Sequence, residues 1–388
     1  MTAPSLLSRA DHTAPMTPSP SAPRTPDRGG PLPAPLPRGP ISTALLALLR
    51  GPVDEGRAVA LRADVDRAVA ALADGDGDGS STGVCADEDL QLALFCLYEL
   101  HYRCIDGVDD RWEWSPGLLG ARQVVEGRFE AELRERVQAP SSPTPDAPSV
   151  AAALFALAAQ DTGPSLARFV AREATVEQVR ELLVQRSVYQ LKEADPHTWA
   201  VPRLAGAPKA ALVEIQTDEY GGGRPENMHS ALFATTMRGA GLDDTYGVYV
   251  DVVPATTLAS VNMMSMFGLH RRLRGAIVGH LAAFEMTSSI PNRLYGNGFR
   301  RLGYDATVTR YFDEHVEADA VHEQIAGRDL AGRLAEQDPA LLPDIMFGAA
   351  ACLTVDGWAA AHMLDAWKRG ESSLRAERAP VSTTAVEG

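Results

Sequence analysis

The chain has 388 residues, a formal net charge of −15, and a hydrophobic content of 45%. This length is enough to bury a sizeable core, as one large domain or two ordinary ones. The acidic balance argues against a general nucleic-acid binder and against a protein of anionic membranes, because both need a basic surface. Small molecules are the expected partners.

The cysteines and the apolar runs predict a location inside the cell. The four cysteines, Cys85, Cys96, Cys104 and Cys352, show neither a CxxC pair nor the regular spacing of a disulfide framework. They are typical of reduced, mostly buried thiols. The longest uncharged apolar run is too short to span a bilayer, and residues 1–30 lack the apolar core of a secretory signal. We therefore expect a cytoplasmic protein.

Proline-rich segments divide the chain. Residues 1–40 contain 11 of the 27 prolines and are predicted to form a disordered tail. Residues 41–138 are predicted to be an N-terminal helical region, which a Pro-rich linker at 139–149 separates from the rest. Residues 150–370 form the second predicted helical unit, and 371–388 a flexible C-terminal tail.

Apolar residues recur with helical spacing along most of the chain. A strand-like pattern occurs only at Tyr246–Val253, and its position between helices favours a helix end or a connector. The predicted fold class is therefore all-α. In chain order the predicted helices are 43–50, 56–73, 87–103, 116–136, 149–160, 165–172, 175–194, 208–220, 225–240, 256–287, 306–327 and 343–367.

The most informative motif lies in the penultimate predicted helix. His315, Asp319 and His322 follow a His-x3-Asp-x2-His spacing, which places all three on one face of an α-helix. Two imidazoles and a carboxylate form a ligand set that suits non-haem iron, with zinc and manganese as competitors. The spacing predicts a metal site on this face.

Other helices offer further ligands. Glu285 is surrounded by Leu, Ala, Phe and Met, where an ionised carboxylate is costly unless a positive charge meets it. Glu193 lies near the end of an apolar helix. Glu219 and His229 flank three consecutive glycines, which would kink the backbone so that both side chains turn inward. Glu226 forms a Glu-x-x-His pair with His229 and is an alternative to Glu219.

These residues together resemble the haem-oxygenase-like di-iron oxidases and oxygenases, also called the iron-containing redox enzyme family. The resemblance covers about residues 165–370 and implies a compact haem-oxygenase-like helical bundle, here with an additional N-terminal helical region. Members usually present three carboxylates and three histidines, and some add another Glu. The ligands that the resemblance implies are Glu193, Glu219, His229, Glu285, His315, Asp319 and His322, with Glu219 as the extra carboxylate.

The resemblance also implies a function. It predicts an oxidoreductase that binds two non-haem Fe ions and uses O2 to oxidise a small organic substrate, by N-oxygenation or by oxidative C–C cleavage. An external electron donor and a homodimer are left open as partners, and no nucleic-acid or membrane partner is expected. Two alternatives are a cofactor-independent enzyme on the same scaffold, with Cys352 as the nucleophile, and a non-catalytic helical protein that binds one structural metal.

Overall fold

Helices account for nearly all regular structure in the computed structural model, which describes residues 29–74, 83–160 and 165–376. The described residues form no strand, and a single isolated bridge joins Leu32 to Ile105. The predicted all-α class is confirmed. The α-helices are α1 Pro40–Leu49, α2 Glu55–Asp74, α3 Glu88–Glu99, α4 Pro116–Arg136, α5 Ala147–Ala158, α6 Leu166–Arg172, α7 Val176–Gln190, α8 Asp195–Thr198, α9 Gly206–Glu219, α10 His229–Gly239, α11 Ala255–Leu269, α12 Arg274–Met286, α13 Ser289–Arg301, α14 Ala306–Gln324, α15 Arg333–Gln337 and α16 Leu342–Lys368.

Most predicted helices are observed within a few residues of their expected ends, but the short helices α8 and α15 have no predicted counterpart, and two longer stretches differ. The long pattern from 256 to 287 is two helices, α11 and α12, separated by a short 3-10 turn at Arg271–Leu273. Helix α13 was not predicted, because proline, asparagine and two glycines interrupt its pattern. The strand-like segment at 246–253 forms turns and a 3-10 helix, in line with its interpretation as a connector.

One hydrophobic core runs through the described chain. Its buried members include Trp112 and Phe129 from the N-terminal helices as well as Phe233 and Phe267 from the later ones. The longest helix, α16, packs along α12, and close approach is possible because glycines face the partner backbone: a Cβ at Gly348 would collide with the carbonyl oxygen of Ala276. Helix α12 carries Glu285, so this packing fixes one candidate ligand.

The ends of the described chain are packed rather than free. Residues 1–28 of the predicted tail lie outside the described residues, but the backbone of Leu32 exchanges hydrogen bonds with Cys104 and Asp106, and its side chain is completely buried. At the other end, the hydroxyl of Ser373 donates to Glu181 at 2.7 Å. Both predicted tails therefore differ from the structure where it describes them, because buried contacts offset the entropy of ordering these segments. The proposed division into domains remains a prediction.

By length and composition alone, the helix Pro339–Lys368 could cross a membrane. However, 61% of its most apolar stretch is buried inside the protein. Core helices of soluble proteins pass the same test, so this feature is weak evidence for a membrane span.

Candidate metal centre

The candidate ligands lie at or next to the ends of α7, α9, α10 and α12, and along α14. Helix α7 begins with a capping box at Thr175 and ends at Gln190, and Glu193 follows in the turn after it. Ala194 then adopts a left-handed backbone conformation with φ of 74°. This conformation costs roughly 1–2 kcal/mol for a residue other than glycine. The chain therefore turns sharply just where Glu193 points into the core.

The three consecutive glycines kink the backbone between Glu219 and His229, as predicted. Gly221, Gly222 and Gly223 all have positive φ, and a Cβ at Gly221 would lie 2.6 Å from the backbone nitrogen of Met228. Helix α9 ends at Glu219 and α10 begins at His229, and the reversal between them leaves Glu219 Oε2 3.0 Å from His229 Nδ1. Glu226, the alternative to Glu219, is exposed on the short 3-10 turn between these helices.

The inward side chains form two groups that could each hold one metal ion. Every residue in a group offers one ligand atom, and these atoms lie within 4.8 Å of one another. All six residues are buried. The first group, called triad A below, is Glu193, His229 and His315; the second, triad B, is Glu219, Glu285 and His322.

Asp319 is the one predicted ligand that cannot be placed. It belongs to α14, as predicted, but its side chain lies outside the described residues. His315 and His322 project from the same helix into different triads. The His-x3-Asp-x2-His motif, which predicted one metal site, therefore contributes ligands to two. Both triads draw their other members from separate elements.

The hydrogen bonds of both α14 histidines orient them as ligands. His315 Nδ1 donates to the backbone carbonyl of Tyr311 at 2.7 Å, which leaves Nε2 facing Glu193 Oε1 at 3.5 Å. His322 Nε2 lies 3.1 Å from the Asp218 carboxylate, which leaves Nδ1 facing Glu285 at 3.5 Å. Metal-bound imidazoles commonly have such a partner on the second ring nitrogen.

Tyr311 and Asp218 were not among the predicted site residues. The Tyr311 hydroxyl also donates to Glu193 Oε1, at 2.9 Å. Their positions in the sequence could have indicated a place near the site, since Tyr311 precedes His315 by one helical turn and Asp218 is the neighbour of Glu219. A helical spacing of four residues predicts shared faces, however, and not a bond from a side chain to a carbonyl.

The charges of the two triads are mutually dependent. Burial would raise the pKa of Glu219, but His229, with His315 and His322, lowers it to about 2. Burial would lower the pKa of His322, but the carboxylates of Glu285, Asp218 and Glu219 raise it to about 9. Protons on the histidines thus compensate the carboxylates, and a bound cation would displace them.

The residues present fit iron. Glu193 Oε2, His229 Nδ1 and His322 Nδ1 are buried, and none has an aligned hydrogen-bond partner within the described residues. Leaving buried polar atoms unsatisfied is costly, whereas a metal ion would satisfy them. A small cavity of about 10 Å³ is lined by Glu193, Glu219, Glu285 and His315. Mixed imidazole and carboxylate donors match the preference of non-haem iron.

A second, larger cavity of about 460 Å³ adjoins triad A, and Glu193 and His315 are among its lining residues. Its volume is in the range of ligand pockets. A small molecule bound in this cavity would lie next to triad A.

Comparisons with known proteins agree with this chemistry. A family model described as iron-containing redox enzyme matches residues 180–357. A nitrosourea synthase from Streptomyces achromogenes subsp. streptozoticus is 28% identical over 170 residues, which is 44% of this chain and 36% of that relative. The match thus spans only about a third of the relative's length. Residues 180–357 contain all six residues of the two triads, so the similarity to the iron-containing redox enzyme family covers the candidate metal centre.

Proposed function

We propose that the chain is an oxidoreductase that binds two non-haem irons, one in each triad, and uses O2 to oxidise a small organic substrate. The observation that carries the proposal is the pairing of triads A and B: three carboxylates and three imidazoles, all buried, four of which line one small cavity. One such triad would serve a single ion, whereas two side by side suit a two-metal centre.

In this proposal the seven ligands are Glu193, Glu219, His229, Glu285, His315, Asp319 and His322. Three ionised glutamates leave two Fe(II) ions at a net charge of +1, and Asp319 would make the site neutral, which a low-dielectric core tolerates better. Bound iron would supply the redox chemistry with O2, which side chains alone do not provide. Tyr311 and Asp218 hold the ligands in place, and the larger cavity binds the substrate.

The reaction type we favour is N-oxygenation, because the name of the relative, nitrosourea synthase, denotes a product with an oxidised nitrogen. Oxidative C–C cleavage is the other outcome compatible with such a centre. The proposal requires an external electron donor or electrons from the substrate. The expected cytoplasmic location and the option of a homodimer also belong to the proposal.

The rival in which Cys352 acts as a nucleophile has little support. Cys352 is buried, and burial together with the nearby Asp356 raises the pKa of its thiol well above the usual range. The reactive form of cysteine is the thiolate, so this side chain is inert at neutral pH.

Anaerobic Fe(II) loading followed by metal analysis and rapid mixing with O2 tests the proposal. We expect about two irons per chain and a transient visible absorption band. His315→Ala and Glu285→Ala each remove one ligand from a different triad, so both should lose the band, whereas the exposed Glu226→Ala should keep it.

The metal content separates the rivals. One iron per chain in the unaltered protein would favour a single structural metal. Failure to bind more than trace iron after careful reconstitution would refute the proposal.

A further inference from the structure

The larger cavity is lined by charged side chains that are not candidate metal ligands. Its lining comes mainly from α7, α11, α13 and α16, and Arg186 is the only arginine or lysine among the described lining residues. Asp356, on α16, also lines this cavity. Neither belongs to a triad, so both charges need another explanation.

Arg186 has little of its hydrogen-bonding capacity satisfied. One guanidinium nitrogen donates to the Tyr295 hydroxyl at 3.1 Å, and the group lies 4.4 Å from the centre of the Tyr295 ring. A guanidinium has five N–H donors. No carboxylate of the described residues is recorded within 4.0 Å of it, so the cation is held in position by an aromatic ring but not neutralised.

Asp356 shows the complementary situation. Its Oδ1 accepts from the Ser260 hydroxyl at 2.6 Å, while Oδ2 has only the Cys352 thiol at 3.9 Å. No cationic side chain of the described residues forms an ion pair with it. Burial raises the pKa of Asp356, with Ser260 and the charge of Arg186 acting in the opposite direction. Asp356 and Arg186 thus line the same cavity but form no ion pair within 4.0 Å.

We propose that Arg186 and Asp356 bind the head group of a zwitterionic substrate, an α-amino acid, with its carboxylate on Arg186 and its ammonium on Asp356. An α-amino acid carries both charges on adjacent atoms, so it pairs both protein groups with charge-assisted hydrogen bonds. A molecule with only one charge would leave the other protein group desolvated and unpaired. This inference rests on the proposed function.

The cavity also fixes which end of the molecule reaches the iron. Arg186 and Glu193 are seven residues apart along α7 and its following turn, which is roughly 10 Å at the rise of a helix. Apolar side chains that include Val261, Met264 and Phe284 line the wall of the same cavity. The head group is therefore anchored away from triad A, and the side chain of the amino acid extends toward Glu193 and His315.

Three matched probes test the assignment on the full chain by calorimetry: L-norleucine has both charges, hexanoate lacks the ammonium, and pentylamine lacks the carboxylate. We expect norleucine to bind at least about tenfold more tightly than either, because each lost charge pair costs that much or more. Arg186→Gln should abolish the advantage of norleucine over pentylamine, and Asp356→Asn its advantage over hexanoate.

Two controls distinguish position from general charge and from damage to the fold. Asp365→Asn removes an exposed carboxylate at the cavity edge and should leave norleucine binding unchanged. Arg186→Lys should restore part of the affinity that Arg186→Gln loses.

The result that overturns the inference is equal binding of norleucine and hexanoate, or binding by no common L-amino acid, while iron still loads at about two per chain. Absence of iron would instead refute the proposed function. Binding of the probes to the iron-free protein would then still decide the role of Arg186 and Asp356.

Discussion

At the scale of single residues, the side chains that orient the ligands are as informative as the ligands. His315 and His322 each use one ring nitrogen for a hydrogen bond to protein, so the remaining nitrogen is aimed at a carboxylate of its triad. Fixing each ring in this way lowers the entropic penalty of metal binding. Both imidazole rings are therefore oriented in the folded protein before a metal ion binds.

Asp218→Ala should weaken iron binding without removing a ligand. Loss of such a partner commonly costs 10–100-fold in metal affinity. The Asp218 side chain is 60% exposed, so water can replace part of its role, and we expect the low end, about tenfold. A competition titration with a chromophoric chelator measures the change. Glu226→Ala, another exposed carboxylate close in sequence, is the control, and an equal effect of both would contradict the orienting role.

His197 and His280 predict a pH dependence of stability. The two rings are buried and lie 3.1 Å apart, from His197 Nε2 to His280 Nδ1. Burial lowers the pKa of His197 from 6.5 to about 4. Between these values the unfolded chain binds more protons than the folded one, so stability falls as the pH falls from about 6.5 to about 4, by about 3 kcal/mol for this residue.

Urea unfolding at several pH values across this range checks the effect. His197→Gln should give a shallower pH dependence than the unaltered protein, even if the variant is less stable at neutral pH. Replacement of the exposed His362 with Gln serves as the control. An unchanged slope in His197→Gln would show that other groups cause the acid sensitivity.

At the scale of elements, glycines allow α12 and α16 to pack closely against each other. A Cβ at Gly348 would meet the backbone of Ala276, and a Cβ at Gly279 the backbone of Ile345. Backbone atoms of two long helices cannot move aside independently, so the helices would have to separate. Glu285 would move with α12.

Gly348→Ala should therefore destabilise the fold by about 3 kcal/mol, the upper range for overpacking, and also lower the iron content. Gly357 lies on the same helix, and a Cβ there would meet no atom within 4 Å. Gly357→Ala should be neutral or stabilise by up to about 1 kcal/mol, because alanine favours helix. Thermal unfolding of the two variants makes the comparison. Similar losses in both would mean that helix contact is not the cause.

Sequence patterns predicted those elements whose structure depends on backbone geometry within a few residues. The helical face with His315 and His322 and the glycine break after Glu219 follow from backbone geometry within a few residues. Helix α13 does not: a Cβ at Gly298 would approach the carbonyl of Val170 at 2.5 Å, so distant packing makes glycine favourable there. The pairing of ligands into triads also depends on contacts between helices, which no local spacing encodes.

At the scale of the whole molecule, a buried ion pair connects the N-terminal helices to the metal centre. Lys192, the neighbour of Glu193, pairs with Glu99 at the end of α3, and neither side chain is exposed. Tyr246 donates to Glu99 at 2.8 Å, and the Lys192 ammonium lies 4.0 Å from the centre of the Tyr102 ring. The segment that carries Glu193 is thus attached to a region outside the family match.

Lys192→Met should destabilise the protein by about 3–5 kcal/mol, because it leaves a buried carboxylate without its cation. The double variant Lys192→Met with Glu99→Gln should recover part of this loss, since it removes the unpaired charge as well. Urea unfolding measures both. Arg369→Gln, which breaks the exposed pair with Glu371, should have no measurable effect. A double variant no better than the single one would contradict this account.

Helix α14 is the only element that contributes to both triads. An ion bound in triad A would hold His315 and thereby limit the motion of the helix that also presents His322. The ring of His322 is oriented in the absence of metal, but the helix that carries it would move less once the first ion is bound. The second ion would therefore bind with a smaller entropic penalty. Iron should accordingly load cooperatively, with a sigmoidal titration curve and few singly occupied molecules.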